Sequence, residues 1–325
     1  MELPTIDDIE SARQRLKGKA VLTPVLESAT LNRLAGGRIL IKAECLQRTG
    51  SFKFRGAWNA ISRLDPAASR GGVVAYSSGN HAQGVAAAAQ IMGLPALIVM
   101  PADTPAIKQD NTRSYGAEVV TYDRATESRE EIASRIARER GATIIPPFDH
   151  QHVIAGQGTT GLELAEQAEA LGAKLDAVLV PASGGGFAAG VALALKARSP
   201  STRVFTVEPE GFDDHARSLK SGKRERNAKV SGSICDALLS PSPGELTFAI
   251  NRALLAGGLV VSEAEAKQAM IAAFDHLKIV VEPGGAVALA AVLSGKIPLN
   301  GGVAGIIASG GNVDRAFFAE TLLGR

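Results

Sequence analysis

The sequence predicts an α/β fold built on largely parallel sheets. Short apolar runs alternate many times with amphipathic or alanine-rich stretches, which is the sequence form of strands returned by crossover helices. Glycine- and serine-rich turns follow several of these runs, where ligands of open α/β sheets bind. The chain of 325 residues is also long enough for one large or two medium domains, each with its own core.

Taken in order, the runs predict strands over Arg38–Ala43, Val73–Tyr76, Ala96–Met100, Glu118–Tyr122, Thr143–Ile145, Ala177–Val180, Val204–Val207 and Val303–Ile307. Helical periodicity or alanine enrichment predicts helices that include Ser51–Leu64, His81–Met92, Ser128–Glu139, Thr159–Leu171, Ala188–Ala197, Glu263–Leu277 and Gly285–Leu293. The stretch Asp65–Ala68 and the pair Pro146-Pro147 are the best boundary signals. They bracket residues 71–147 as a small inserted domain, with 1–66 and 151–325 forming a large one.

Lysine and arginine exceed aspartate and glutamate by only 35 − 33 = +2, which gives no electrostatic pull toward nucleic acid or an anionic membrane. The cluster KSGKRER, Lys220–Arg226, reads as a solvated loop. Cys45 and Cys235 are far apart, lack metal-type spacing and suit a reducing compartment. The start MELPTIDDIE is acidic without an apolar signal core, and AAAAQIMGLPALIVM is broken by Gln90, Gly93 and Pro95. A cytoplasmic protein with neither a nucleic-acid nor a membrane partner is expected.

Four stretches carry chemistry. In TGSFKFRGA, Thr49–Ala57, helix-start residues precede Lys53, and Phe52 and Phe54 flank it. A first-turn cation opposes the helix dipole and apolar rings strip its water, so both effects favour a neutral amine. The competing reading is a surface lysine whose stem packs on the rings. SSGNH, Ser77–His81, follows a strand and opens a helix, which suits a carboxylate at the helix start or simple capping. PASGGGFAAG, Pro181–Gly190, allows several N–H groups to converge on one phosphate, or serves tight helix–sheet packing. It is not a Walker loop, since no Gly-Lys-Ser/Thr follows. In ASGGNVD, Ala308–Asp314, the Ser309 hydroxyl can face a ring nitrogen or cap the turn. A phosphate cradle, an anion-binding helix start and a desolvated lysine together suit an imine-forming phosphorylated cofactor, pyridoxal 5'-phosphate, acting on a small amino acid.

The same residues resemble a known family, the fold-type-II pyridoxal-phosphate enzymes, tryptophan-synthase-β-like in fold, and in particular the serine/threonine dehydratases and serine racemase. The resemblance is collinear through GSFKFRGA, SSGNHAQGVA, VIAGQGTTGLE, PASGGGFAAG, VEPEGFDD, VVEPGGAVALAA and SGGNVD. It implies two open, mostly parallel sheets flanked by helices, with the cofactor in the cleft between the large and small domains. Lys53 would form the Schiff base and, once freed, act as base on the α-proton. Phe52 would pack near the ring, Asn80 bond the phenolic oxygen, Ser183, Gly184, Gly185, Gly186 and Phe187 hold the phosphate, Ser309 face the pyridine nitrogen and Glu282 lie near the ring. Ser77, Ser78, Gly79, Asn80 and His81 would grip the substrate carboxylate, with Ser78 as a second acid/base. Glu208, the Phe212 carbonyl and Asp214 match a divalent-metal site suited to Mg²⁺ or Ca²⁺.

The resemblance implies a homodimer that removes ammonia from L-threonine and L-serine by β-elimination. A serine racemase and a 3-hydroxyaspartate dehydratase are the alternatives, the latter because Arg129 can reach a second carboxylate. A noncatalytic nucleotide-binding module is the alternative of another class. His81 argues against a cysteine synthase, and Ile234–Ala237 departs from the family's Ala-Asp-Gly beside the cofactor. The chain ends soon after Asp314, leaving no room for a regulatory module, so a catabolic role is expected.

Overall fold

The computed structural model describes residues 2–77, 79–104, 106–123 and 125–324. Its strands are β1 (Val25–Leu26), β2 (Arg38–Lys42), β3 (Val73–Tyr76), β4 (Ala96–Pro101), β5 (Glu118–Tyr122), β6 (Thr143–Ile144), β7 (Ala177–Pro181), β8 (Arg203–Pro209), β9 (Gly257–Val261) and β10 (Val303–Ile307). Its helices are α1 (Ile6–Leu16), α2 (Ala29–Ala35), α3 (Lys53–Ile61), α4 (Asn80–Met92), α5 (Ala106–Ser114), α6 (Arg129–Arg140), α7 (Gln151–Ala170), α8 (Gly186–Arg198), α9 (Asp214–Ser221), α10 (Glu245–Leu254), α11 (Glu263–Leu277), α12 (Pro283–Leu293) and α13 (Arg315–Leu322). No helix among the described residues is long and apolar enough to cross a membrane.

Two sheets result. The larger has the order β1-β2-β10-β7-β8-β9, parallel except for the antiparallel edge pair of β1 with β2. Both of its faces are covered, as parallel sheets require. Ile39, Ile41, Ala177, Leu179, Ala304 and Ile306 point to α11 and α12, whereas Leu40, Val178, Val180 and Ile307 point to α7 and α8. The strand period of two thus divides one apolar run between two cores. The smaller sheet, β5-β4-β3-β6, is parallel throughout, and its strands lie between residues 73 and 144. Val73, Ala75, Ile98 and Met100 pack with α3 and α4, and Val74, Leu97 and Val99 with α6.

This topology positions the site. β2, β10 and β7 are parallel neighbours, so the turns after them emerge side by side at one edge, and these turns are residues 43–52, 308–314 and 182–185.

Three local expectations are corrected. β1 and β9 were not anticipated, because one has two residues and the other opens on Gly257 and Gly258, both depleted in strands. α7 begins at Gln151 rather than Thr159, since Gly156, Gly158 and Gly161 mask a helix on propensity. Packing explains them: a Cβ at Gly156 would lie 2.5 Å from the Arg55 carbonyl oxygen, and one at Gly158 2.8 Å from that of Gly190. Finally, α3 starts at Lys53, and Ser51 does not cap it but is extended and pairs with Gly310.

Candidate active site

Lys53 is placed by the turn before it. Thr49 (φ 64) and Gly50 (φ 72) take the left-handed conformation, which reverses the chain, and for threonine that conformation is strained. Ser51 then pairs with Gly310, and Phe52 N donates to the Ser309 carbonyl at 3.1 Å, pinning the start of α3 to the loop after β10. Lys53 is half-buried and its Nζ donates to the Pro147 carbonyl at 2.8 Å.

Burial pulls the Lys53 amine down to about 8 from its usual 10.5. The Phe52 ring centroid, 5.2 Å away, favours the ammonium by about 0.5–1 kcal/mol, under one pH unit, so desolvation wins. Phe54 does not share that shielding. It is fully buried in the core with Ile9 and Trp58, on the other side of the helix start.

The glycine turn after β7 is a backbone surface with no room for side chains. A Cβ at Gly184 would lie 2.3 Å from the Phe148 ring, one at Gly185 2.3 Å from His215 Nε2, and one at Gly186 2.7 Å from the Phe148 carbonyl oxygen. Gly185 also requires φ +89. The carbonyls are tied back: Gly184 O accepts from Thr247 Oγ1 (2.6 Å) and Gly244 N (3.2 Å), and Gly185 O accepts from Asn251 Nδ2 (3.2 Å). That leaves N–H groups as the turn's free polarity, continued by the first N–H groups of α8, which have no intrahelical acceptor. Ser183 Oγ is already engaged, donating to Ser240 Oγ at 2.7 Å and accepting from Ser240 N at 3.2 Å. Phe187, one residue into α8, stacks on Phe52.

At the end of β3, Ser77 N donates to the Val99 carbonyl at 3.1 Å, and Ser77 Oγ accepts from Gly79 N at 3.3 Å. Ser78 lies outside the described residues. A Cβ at Gly79 would meet nothing within 4 Å among the described residues, so the start of α4 opens onto free space there. Asn80 Nδ2 donates to Glu282 Oε1 at 2.6 Å. Burial, then the Asp236 charge, push the Glu282 carboxyl up to about 8, against the opposing bond from Asn80. Ser309 is buried beside this pair.

The His81 side chain departs from the expected role. It is buried with Nε2 on the Ile145 carbonyl oxygen at 2.9 Å, and burial first, then the Lys53 charge, pull it down to about 3. A neutral imidazole turned onto a core carbonyl leaves His81 its backbone N–H, not its ring, to offer a carboxylate.

Glu208 and Asp214 come together as expected, with His215 as a third member that the sequence reading passed over. Glu208 accepts from His215 N (2.9 Å) and Ala216 N (2.8 Å), and Asp214 Oδ1 accepts from Asn227 Nδ2 (2.6 Å). Asp214 Oδ2 and His215 Nδ1 are 3.7 Å apart, and both are buried without a hydrogen-bond partner among the described residues. Burial, then the Glu208 charge, push the Asp214 carboxyl up to about 7. Phe212 is buried in the turn between them. Asn251 links the cluster to the glycine turn, its Nδ2 lying 3.2 Å from both His215 Nε2 and the Gly185 carbonyl oxygen. A histidine directly after the VEPEGFDD motif was the available signal.

A family model of pyridoxal-phosphate dependent enzymes matches residues 18–310. The chain belongs to the pyridoxal-phosphate-dependent enzyme family. Among its relatives in that family, the L-threo-3-hydroxyaspartate ammonia-lyase of Pseudomonas sp is 46% identical over 324 residues, covering 100% of both chains. The structure of maize serine racemase superposes with a TM-score of 0.92 at 39% identity, over 99% of this chain and 98% of that one. A T.th. threonine deaminase structure superposes with a TM-score of 0.90 at 46% identity, over 96% and 99%. The fold is that of the fold-type-II branch of the pyridoxal-phosphate-dependent enzymes, and the chain is a lyase of that family.

Proposed function

We propose that this lyase releases ammonia from a β-hydroxy-α-amino acid by eliminating the hydroxyl, with L-threo-3-hydroxyaspartate preferred and L-threonine and L-serine also accepted. The observation that carries the reaction is the Lys53 amine, lowered to about 8 by burial, directly after Phe52, whose ring stacks on Phe187 at the end of a turn with the Gly184 and Gly185 carbonyls tied back. The dicarboxylate preference rests on Arg129, whose guanidinium lies 5.4 Å from the Tyr76 ring centroid at the end of β3, one residue before Ser77. The full-length Pseudomonas relative supports the same preference.

The chain's residues fit pyridoxal phosphate. The glycine turn and the start of α8 would take the phosphate, Asn80 the phenolic oxygen and Ser309 the pyridine nitrogen. When bound, the cofactor supplies a carbonyl carbon for an amine and a sink for the electron pair left at the substrate's Cα. Lys53 would hold that carbonyl through its neutral amine and, once displaced by the substrate's amine, would take the Cα proton, while the β-hydroxyl leaves with a proton as water. Backbone N–H groups in the first turn of α4 orient the substrate carboxylate, and Phe52, its ring stacked on Phe187, shields the amine from water. The departing unsaturated amine tautomerises and hydrolyses to a 2-oxo acid and ammonia.

Two structural readings accompany this. Residues 71–147 act as a small lobe over the large one formed by 1–66 and 151–325. Glu208, the Phe212 carbonyl and Asp214 hold Mg²⁺ or Ca²⁺, supported by two buried carboxylates that, among the described residues, pair with no lysine or arginine.

The test is a panel of the three amino acids scored for ammonia and for the 2-oxo acid. Oxaloacetate forming faster than 2-oxobutanoate, with that order reversed by Arg129→Gln, is the expected result. D-serine from L-serine without ammonia would replace this reading by racemisation.

A further inference from the structure

We propose that Asn312 is a positioning residue: it fixes the Asn80 carboxamide so that Asn80 presents an N–H, not its carbonyl, to the cofactor's phenolic oxygen. The inference rests on the cofactor reading above and deepens it.

The argument follows the direction of hydrogen bonding from a group that can only accept. The Thr49 backbone carbonyl receives Asn312 Nδ2 at 2.8 Å, which settles which end of the Asn312 amide is nitrogen. The same nitrogen donates to Asn80 Oδ1 at 2.7 Å, so the oxygen end of Asn80 is turned toward Asn312. Asn80 Nδ2 is left facing Glu282 Oε1 at 2.6 Å. One hydrogen of that nitrogen is used on Glu282, and the second remains for a ligand.

Packing holds the relay. A Cβ at Gly50 would lie 2.6 Å from Asn312 Oδ1, and one at Gly310 would lie 2.1 Å from Glu282 Oε1 and 3.1 Å from Asn80 Nδ2. Both positions are glycines in the two turns that frame Lys53 and Ser309. The strained φ of 64 at Thr49 turns the carbonyl that starts the relay. Asn312 thereby ties the turn ahead of Lys53, the start of α4 and the loop after β10 to one another.

The experiment is a pH titration of the absorbance of the cofactor-loaded enzyme. In Asn312→Asp the new carboxylate can only accept, so Asn80 rotates its nitrogen toward residue 312 and its oxygen toward the site. A phenolic oxygen that loses its donor holds its proton to higher pH. The expected result is a titration midpoint about one pH unit or more higher in Asn312→Asp, the size of a lost charge-assisted bond, with a smaller rise in Asn312→Ala. Merely structural damage would lower cofactor occupancy without moving the midpoint of the bound fraction. A midpoint equal to wild type in Asn312→Asp, or in Asn312→Ala where the aspartate variant fails to fold, overturns the proposal. A wild-type enzyme with no band removed by Lys53→Ala overturns the cofactor reading and this one together, whereas a Lys53-dependent band with unmoved variants overturns this one alone.

Discussion

Phe52 lies flat on Phe187, with ring centroids 3.8 Å apart and planes 9° from parallel. One ring precedes the reactive amine and the other follows the last glycine of the turn after β7, so their stacking sets the distance between the two halves of the site. A stacked aromatic pair contributes up to about 1.5 kcal/mol beyond its buried area, up to about tenfold in an equilibrium. Phe52→Ala is therefore expected to weaken cofactor affinity by about tenfold while the glycine turn stays folded. Fluorescence titration of the apoprotein with cofactor checks this, and unchanged affinity would separate the stack from binding.

The Lys53 amine condenses with a carbonyl only when neutral. With its folded value near 8 instead of 10.5, the neutral fraction rises through pH 8 rather than through pH 10.5. Cofactor loading of the apoprotein is expected to accelerate from pH 6.5 to 9 with a midpoint at about 8, and Lys53→Arg to load no cofactor covalently at any pH. A rapid-mixing absorbance series at several pH values reads it. The linkage has the matching sign: the unfolded chain binds this proton more tightly, so the residue's stability contribution improves as pH climbs from 8 toward 10.5.

Two glycines should separate folding from binding. Gly185→Ala puts a methyl 2.3 Å from His215 Nε2 on a residue with φ +89, and about 1–3 kcal/mol of stability should be lost together with cofactor binding. At Gly79 the added methyl meets nothing within 4 Å among the described residues and enters the space in front of the α4 start. Gly79→Ala should leave stability within about 0.5 kcal/mol of wild type yet raise KM for the amino acid. Equal losses of stability in both variants would contradict this division.

The turns that carry Lys53, the three glycines and Ser77–Asn80 were legible because each sits in a short local pattern: a polar or glycine turn between a strand and a helix. What escaped was set by distant chain. Nothing near Phe148 signals that its ring underlies Gly184, and nothing near Asn312 signals that its amide orients Asn80, 232 residues away. His81 misled for a related reason. It sits in the polar run, yet the helical turn that exposes the α4 start aims its ring at Ile145, and burial there outweighs the affinity of an imidazole for a carboxylate. The largest sheet's outer strand β9 was hidden by its glycines, which a strand tolerates only because β8 pairs with all five residues, from Phe205↔Gly257 to Pro209↔Val261.

Beneath the site, Arg55 is fully buried and bonds both Glu44 oxygens (2.8 Å each) and both Glu163 oxygens (2.7 Å each), while Lys42 Nζ reaches Glu163 at 2.7 Å. The network crosslinks α3 to α7 two residues beyond Lys53. Its carboxylates outweigh the burial penalty and hold the guanidinium pKa above its usual value. Arg55→Met removes the cation and leaves the buried Glu44 with the Thr23 hydroxyl and the Lys42 charge, so a loss of about 3–5 kcal/mol is expected. Urea unfolding with a lowered midpoint at unchanged slope measures it. A loss below about 1 kcal/mol would show that Lys42 suffices.

Asp214 Oδ2 is a buried carboxylate oxygen without a partner among the described residues, and Glu208, its neighbour, helps to push its carboxyl up to about 7. A divalent cation bound there would offset both the repulsion and the missing contact. At about 100 times its dissociation constant it would add about 2.7 kcal/mol. Mg²⁺ or Ca²⁺ is therefore expected to raise the melting temperature, and more strongly at pH 8 than at pH 6, because protons compete for Asp214 below about 7. Asp214→Asn should abolish the response. The effect should also reach the cofactor, because His215 Nε2 and Asn251 Nδ2 stand 3.2 Å apart and Asn251 holds the Gly185 carbonyl. Cofactor affinity measured with and without a chelator should fall when the ion is removed from wild type and stay constant in Asp214→Asn. A stabilising ion that leaves cofactor affinity unchanged would break the link between His215 and the glycine turn while leaving the ion site intact.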